Sequence, residues 1–259
     1  MTLNTKITDW TNKRVWIIGA STGIGASLAD ALFKRGAKLA LSARRAEPLE
    51  EMAARFGADR ALSLPLDITK LDTIANAQTQ LVNAWNGYDL AIFMAGDYKA
   101  MRAWSIDLKV ARDMIDINLN GFLNGLSLVV PQLMKQGSGG VALVSSVAGY
   151  RGLPKSLIYG PTKAALINLA ETLYLDLQPK GLGVYVINPG FVKTPLTDQN
   201  DFEMPNLITP EEAAQSIIEG FEAGEFEIHF PKAFTRKLKF LRLLPYGTYF
   251  SMIRKSTRL

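Results

Sequence analysis

The chain has 259 residues, 48% of them apolar, enough for one large α/β domain with a sizeable core. It has no cysteine and a single histidine, His229, which excludes disulfides, thiol nucleophiles, Cys-ligated zinc and multi-histidine metal sites. The net charge of +5 is unevenly spread: Lys232, Arg236, Lys237, Lys239, Arg242, Arg254, Lys255 and Arg258 put eight positive charges and no acid on residues 231–259, leaving −3 on the rest.

The opening "MTLNTKITDWTNKRVWIIG" lacks the apolar stretch of a signal peptide, and no run of about 18 apolar residues follows anywhere. The expected address is the cytoplasm. "RVWIIGA" reads as a buried strand and "GIGASLADALFKRG" as a helix, with Leu28, Leu32 and Phe33 at helical spacing and Gly36 at its end. "AKLALSARR" is the next strand, "EPLEEMAARFG" a helix closed by Gly57, "ALSLPLD" a strand and 71–86 a helix. Then come "YDLAIFMAG", a long helix near 108–136, "GGVALVSS", the helix "YGPTKAALINLAETLYLDL", the strand "LGVYVINPG", a helix near 210–223 and "FEIHF". Strands alternate with helices, and most strands are continuous apolar runs. That is the pattern of a parallel sheet buried on both faces, so a doubly wound, three-layer α/β sandwich with six or seven strands is expected over residues 1–230.

Three places carry chemistry. Gly19, Gly23 and Gly25 occupy the first βα turn, where glycines let the backbone approach a pyrophosphate held at a helix N-terminus. Their spacing is G-x-x-x-G-x-G, and a purely structural turn is the other reading. The second strand ends in Ala43, Arg44 and Arg45 with no acid to grip a ribose 2′-hydroxyl. An arginine fork suits a 2′-phosphate, so NADP(H) is expected rather than NAD(H), two solvated surface arginines being the plain alternative.

The third is "SSVAGYRGLPKSLIYGPTK". Tyr159 and Lys163 are i and i+4 at the start of a helix and share a face, and Pro161 is tolerable there because the helix is in its first turn. Ser146 ends the preceding strand, at the edge where open α/β sheets bind ligands. Tyrosine and lysine both titrate near ~10 when unperturbed. An ammonium beside the phenol would favour phenolate and bring it toward neutral pH, while the serine hydroxyl polarises a carbonyl oxygen.

With these residues in hand, the chain from about 12 to 230 resembles the short-chain dehydrogenases/reductases of the compact, single-domain branch. The Rossmann-type fold of that family is implied, with hydride transfer between NADP(H) and a carbonyl or alcohol. The resemblance makes Gly19, Ser21, Thr22, Gly23, Ile24 and Gly25 the cofactor turn, and Asp67 of "LPLDIT" the contact to the adenine edge. It assigns Ala95 and Gly96 of "FMAG", and Pro189, Gly190, Val192 and Thr194 of "INPGFVKT", to the cofactor as well. Ser146, Tyr159 and Lys163 form the catalytic set, with Asn118 of "DINLNG" holding a water that links Lys163 to solvent. Ser145 is a bystander by spacing. Two departures stand out: Ile18 precedes the first glycine where threonine is common, and Phe93 and Met94 replace two asparagines. A non-catalytic NADP-binding scaffold is the contrasting reading, against which the complete catalytic set speaks.

The resemblance leaves two stretches open. Phe191, Leu196, Phe202, Met204 and Leu207 read either as the apolar lining of a substrate lid or as plain core packing, and Thr209 reads as the N-cap of a helix with Pro210 in its first turn. In the extension 231–259, Phe234, Leu238, Leu241 and Leu244 fall on one side of a helix and Arg236, Lys239 and Arg242 on the other. That amphipathic segment suits either peripheral contact with an anionic membrane through 232–259 or docking on its own domain or a partner subunit. Nucleic-acid binding finds no motif, and no metal is implied. The resemblance also implies a homo-oligomer, dimer or tetramer, through the helices near 108–136 and 159–177, where Leu119, Phe122, Leu126, Leu166, Leu169 and Leu173 suggest a bundle across a two-fold axis.

Overall fold

A computed structural model describes residues 2–257. In chain order the elements are β1 (Arg14–Ile18), α1 (Gly23–Lys34), β2 (Lys38–Ser42), α2 (Glu47–Phe56), β3 (Ala61–Ser63), α3 (Leu71–Trp85) and β4 (Leu90–Phe93). They continue with α4 (Leu108–Ile115), α5 (Gly121–Gln136), β5 (Gly140–Val144), α6 (Tyr159–Leu177), β6 (Gly183–Pro189), α7 (Pro210–Ala223), β7 (Glu227–Phe230), α8 (Lys232–Arg242) and α9 (Tyr246–Thr257).

The seven strands form one sheet in the order β3-β2-β1-β4-β5-β6-β7, and every neighbouring pair is parallel. Because successive side chains point to opposite faces, the apolar strands feed two cores. Val15, Ile17, Leu39 and Leu41 pack with Leu28, Leu32, Ile217 and Phe221 of α1 and α7. Trp16, Ile18, Ala91 and Phe93 pack on the other face with Leu81, Phe122, Leu133 and Leu166 of α3, α5 and α6. The expected doubly wound three-layer sandwich is therefore present, with seven strands. The chain runs outward from β1 to β3 and then returns to place β4 on the far side of β1. That reversal opens a crevice at the strands' C-terminal ends, where ligands bind in such sheets.

Two elements differ from expectation. The third strand stops at Ser63 instead of running to Asp67; Pro65 has no N–H to give the ladder, although Leu64 and Leu66 still donate to the carbonyls of Leu41 and Ala43. The long helix near 108–136 is continuous but carries a π-turn at Asp116–Asn120 between α4 and α5. The extra residue in that turn rotates Asn118 inward, where it is fully buried. The expected caps are seen at α7, where the Thr209 hydroxyl accepts from Glu212 N and the Glu212 carboxylate accepts from Thr209 N.

The basic extension forms α8 and α9 and lies against its own domain. Thr235 is fully buried, and its hydroxyl meets His229 Nδ1 at 2.6 Å. Phe234 and Leu238 pack on the core beneath α6. Lys239 reaches Glu227 on β7, which also accepts from Tyr150 and Asn188. Arg151 Nη1 donates to the carbonyls of Leu241 and Leu244, closing the end of α8, while its guanidinium lies over the rings of Tyr246 and Tyr249. Tyr249 is buried and donates to Gly152 O at 2.7 Å. Arg258 lies outside the described residues. Among the described residues no helix is long and apolar enough to cross a membrane.

Candidate active site

A cleft of about 580 Å³ opens along the C-terminal ends of β1, β2, β4, β5 and β6. Its floor at one end is the glycine turn. Gly19 has φ +110, and a Cβ there would sit 2.6 Å from Ala95 N; a Cβ on Gly25 would sit 2.0 Å from Gly19 O. Both glycines thus hold the turn tight against the β4 loop and against itself. The first turn of α1 carries no acidic residue, and Thr22 makes no side-chain cap, so the helix opens toward the cleft with its dipole unopposed.

Every cofactor-turn residue from Gly19 to Gly25 named above lines the cleft, as do Ala95, Gly96, Pro189, Gly190, Val192 and Thr194. Arg44 and Arg45 are exposed at its rim beyond β2. Asp67 lies beside them. Burial pushes its carboxyl up, but the N–H and hydroxyl of Thr69, with Arg44 nearby, hold it below the usual carboxylate range.

Ser146, Tyr159 and Lys163 line the other end of the cleft together. Ser146 follows β5, and its hydroxyl accepts from Ala148 N in a short 3₁₀ turn, which aims the side chain into the cleft. Tyr159 starts α6. Its phenol is pushed up to about 12 by burial, against a downward pull from the Ser146 hydroxyl. One turn later Lys163 is buried, with Nζ 5.6 Å from the centre of the Tyr159 ring and donating to Val144 O at 3.0 Å. Burial pushes the ammonium down to about 7. The expected depression of the phenol by lysine is therefore not realised in this arrangement. Lys163 spends its hydrogen bond on a carbonyl, and both groups are shifted toward their neutral forms by the same desolvation.

Asn118 alone among the expected site residues stands behind the cleft wall rather than on it. Its Oδ1 accepts from Asp97 N and its Nδ2 donates to Asp97 O, each at 2.8 Å, with Thr162 Oγ1 at 3.4 Å. The side chain clamps the loop after β4 to α6 and keeps little capacity for a water.

Several residues escaped the sequence reading. Ser145 is no bystander: its hydroxyl donates to Lys163 O at 2.6 Å and ties α6 to the end of β5. Tyr98 packs edge-on against Tyr159 with ring centres 5.0 Å apart. Phe93, where the resemblance led one to expect asparagine, is fully buried against Phe122, and Gly125 makes room for it, since a Cβ there would lie 2.1 Å from its ring. Of these, only the Phe93–Gly125 pairing left a trace in the sequence, as an aromatic in place of a polar residue.

The segment expected to form a substrate lid is a loop from Thr194 to Ile208. Val192 and Ile208 bridge its ends, Lys99 donates to Gln199, and Lys155 pairs with Asp201. Leu196 lines the cleft, and Phe191 contacts both Phe202 and, from the extension, Phe234. Phe202 and Leu207 are exposed, and of the five expected lid residues Leu196 alone lines the cleft. His229 is structural; burial pushes its ring down to about 4, and no cluster of metal-ligating residues occurs among the described residues.

The model of the short chain dehydrogenase family matches residues 13–204, most of the chain. The chain belongs to the short-chain dehydrogenase family. A Myxococcus xanthus relative, described as an uncharacterized oxidoreductase, is 32% identical over 241 residues, spanning 92% of this chain and 95% of the relative. A Staphylococcus haemolyticus oxidoreductase, likewise uncharacterized, is 31% identical over 80% of this chain and 90% of its own. Among solved structures, a Burkholderia cenocepacia short chain dehydrogenase in complex with NADP superposes with a TM-score of 0.83 at 24% identity, covering 95% of this chain and 99% of that one. A 3-ketoacyl-(acyl-carrier-protein) reductase from Brucella melitensis, complexed with NADH, gives 0.78 at 21% identity over 86% and 99%. At such identities the structures establish the shared fold. As a short-chain dehydrogenase this chain is an oxidoreductase that works with a nicotinamide cofactor on a small molecule.

Proposed function

We propose that this short-chain dehydrogenase interconverts a carbonyl and an alcohol with NADP(H), on an apolar or lipid-like substrate. The observation that carries the reading is the convergence of Ser146, Tyr159 and Lys163 in the same cleft as the glycine turn. The residues fit the cofactor: the turn brings backbone to the cleft floor, α1 opens without an acid, and Arg44 and Arg45 stand where β2 has no carboxylate. When bound, NADPH supplies the hydride.

The chain's own residues would handle the oxygen and its proton. Ser146 orients the substrate oxygen toward Tyr159. In reduction Tyr159 gives its hydroxyl proton to that oxygen as the carbon gains hydride; in oxidation the phenolate takes the proton back. With a phenol near 12, proton donation is the easier direction at neutral pH, and Lys163 would stabilise the phenolate left behind only once charged and turned from Val144 O toward it. Asn118 acts by holding the Asp97 loop rather than by touching the substrate. Met94 and Leu196 on the cleft wall support an apolar substrate. Residues 1–230 would form the catalytic unit and 231–259 an addition to it. Exposed Leu123 on α5 and Leu175 on α6 support a homo-oligomer through those helices, whereas Phe122, Leu126 and Leu166, expected at that interface, are spent in the subunit's own core.

The test is Tyr159→Phe. NADPH consumption over a panel of ketones and aldehydes is expected to fall by about 10²–10⁴, while NADPH affinity stays within about twofold of wild type. If the wild type turns over no carbonyl or alcohol in the panel yet binds NADPH, the scaffold reading replaces this one.

A further inference from the structure

The extension α8–α9 uses one side to hold the domain and leaves another uncovered. Phe240 is 62% exposed, Leu243 80%, Tyr246 71% and Phe250 51%. Phe240 and Leu243 stand at the end of α8 and Tyr246 and Phe250 in the first turns of α9, the latter two with stacked rings 5.7 Å apart. Basic residues flank them. Lys232 and Lys239 are paired with Glu225 and Glu227, but Arg236, Lys237, Arg242, Arg254 and Lys255 are exposed and have no carboxylate partner among the described residues. Residues 231–257 contain no acid at all.

Four large apolar side chains in water beside five unpaired cations are not explained by the packing of this chain. The combination selects the partner. A second copy of the same face is disfavoured, since a two-fold axis would set cations against cations with no acid to separate them. An anionic bilayer meets both demands: headgroups take the cations, and the aromatic and aliphatic flank enters the boundary with the acyl chains. The location agrees. Tyr249 of α9 is bonded to Gly152; the same loop bridges through Ser156 to Met101 and pairs Lys155 with Asp201 of the loop from Thr194 to Ile208. The extension is thus tied to the loops beside the cleft, and Phe234 of α8 lies against Gly190, which lines it.

We infer that the outer flank of α8–α9 docks this protein on an anionic lipid surface, with the cleft opening beside the bilayer. The docking itself requires no turnover, so its failure and the failure of the proposed reaction are separable.

The experiment is co-sedimentation of the full chain with vesicles of phosphatidylcholine alone and of phosphatidylcholine with phosphatidylserine. Binding to the anionic vesicles at ~50 mM salt, release at ~500 mM and little binding to the neutral vesicles are expected. Arg236→Glu with Lys237→Glu, and separately Phe240→Ser with Leu243→Ser, should each weaken binding roughly tenfold or more. The second pair separates insertion from charge attraction alone. Unchanged unfolding midpoints and unchanged turnover of a soluble ketone show that the fold is intact. Indifference of the wild type to phosphatidylserine at low salt, or full binding by both double variants, overturns the inference. So does light scattering that shows self-association through this flank with vesicles ignored.

Discussion

The site at the C-terminal edge of the sheet is built on a strand end and the long helix α6, the C-terminal extension on two shorter helices; both bury polar groups, yet they are positioned differently. At the edge, Ser146, Tyr159 and Lys163 are brought together by one strand end and one helical turn, so the geometry follows from spacing within eighteen residues. In the extension the contacts work on two scales: Thr235 to His229 and Lys239 to Glu227 are local, within twelve residues, whereas Tyr249 to Gly152 and Leu244 to Arg151 reach back more than ninety residues. The first region keeps a costly buried lysine, to which the proposed reaction gives a use. The second satisfies nearly everything it buries and owes its place to stability.

That contrast is broken or sharpened by four substitutions. The largest effect is expected from Lys163→Met, which should cut turnover by about 10²–10⁴ while raising, not lowering, unfolding stability at pH 7, because burying an amine that is charged in the unfolded chain at that pH costs folding free energy. It should also alter a pH slope. The folded Lys163 titrates at about 7, whereas an unfolded lysine holds its proton to about 10.4. Between those values the unfolded chain binds more protons, so this residue makes stability rise with pH. Urea unfolding from pH 7 to 10 should show that rise in wild type and a flatter curve in the variant. A large loss of stability in Lys163→Met would erase the distinction between the regions.

Tyr249→Ala should cost about 3–5 kcal/mol of stability, the range for emptying a buried aromatic site, with the chemistry at the cleft intact in the folded fraction. Thermal unfolding at fixed protein concentration measures it; a shift near zero would mean the extension is not held as described. Arg44→Ala is next, weakening NADPH binding by about 1.5–3 kcal/mol and leaving NADH nearly unaffected by titration calorimetry. Equal wild-type affinities for both cofactors would remove the NADP preference.

The smallest effect concerns acid. His229 has its ring pushed down to about 4 by burial, with Lys232 adding to the shift, and unfolded histidine titrates near 6.5. The neutral ring that meets Thr235 is favoured above 6.5, and its contribution is lost as pH falls from there toward 4. Because the ring is only half-buried, the expected loss at pH 5 is of order 1 kcal/mol after solvent screening. It should vanish in His229→Asn, with hydrogen exchange of α8 amides as the local readout.

Particular residues show how far spacing could carry the reading. The α6 boundaries and the Thr209 N-cap were legible because helix starts, caps and i,i+4 faces are local properties. Ser145 and Tyr98 were not, since nothing in a serine pair or a tyrosine after Asp97 indicates which hydroxyl will face Lys163 O or which ring will lie against Tyr159. The oligomer residues were misread in part for a related reason. An apolar residue on a helix looks the same in sequence whether its own sheet or another subunit covers it, and here Phe122, Leu126 and Leu166 went to the sheet.

By itself the sequence determined the alternation of strands and helices, the buried parallel sheet, the glycine turn and the tyrosine–lysine face, all of which rest on periodicity and backbone freedom within a few residues. Tertiary structure alone decided that the π-turn carries Asn118 onto Asp97, that Arg151 closes α8, and that the extension packs with one flank and exposes another. It also decided that Lys163 titrates near 7 and Tyr159 near 12. Desolvation depends on what the rest of the chain places around a group, and no spacing between two residues encodes it.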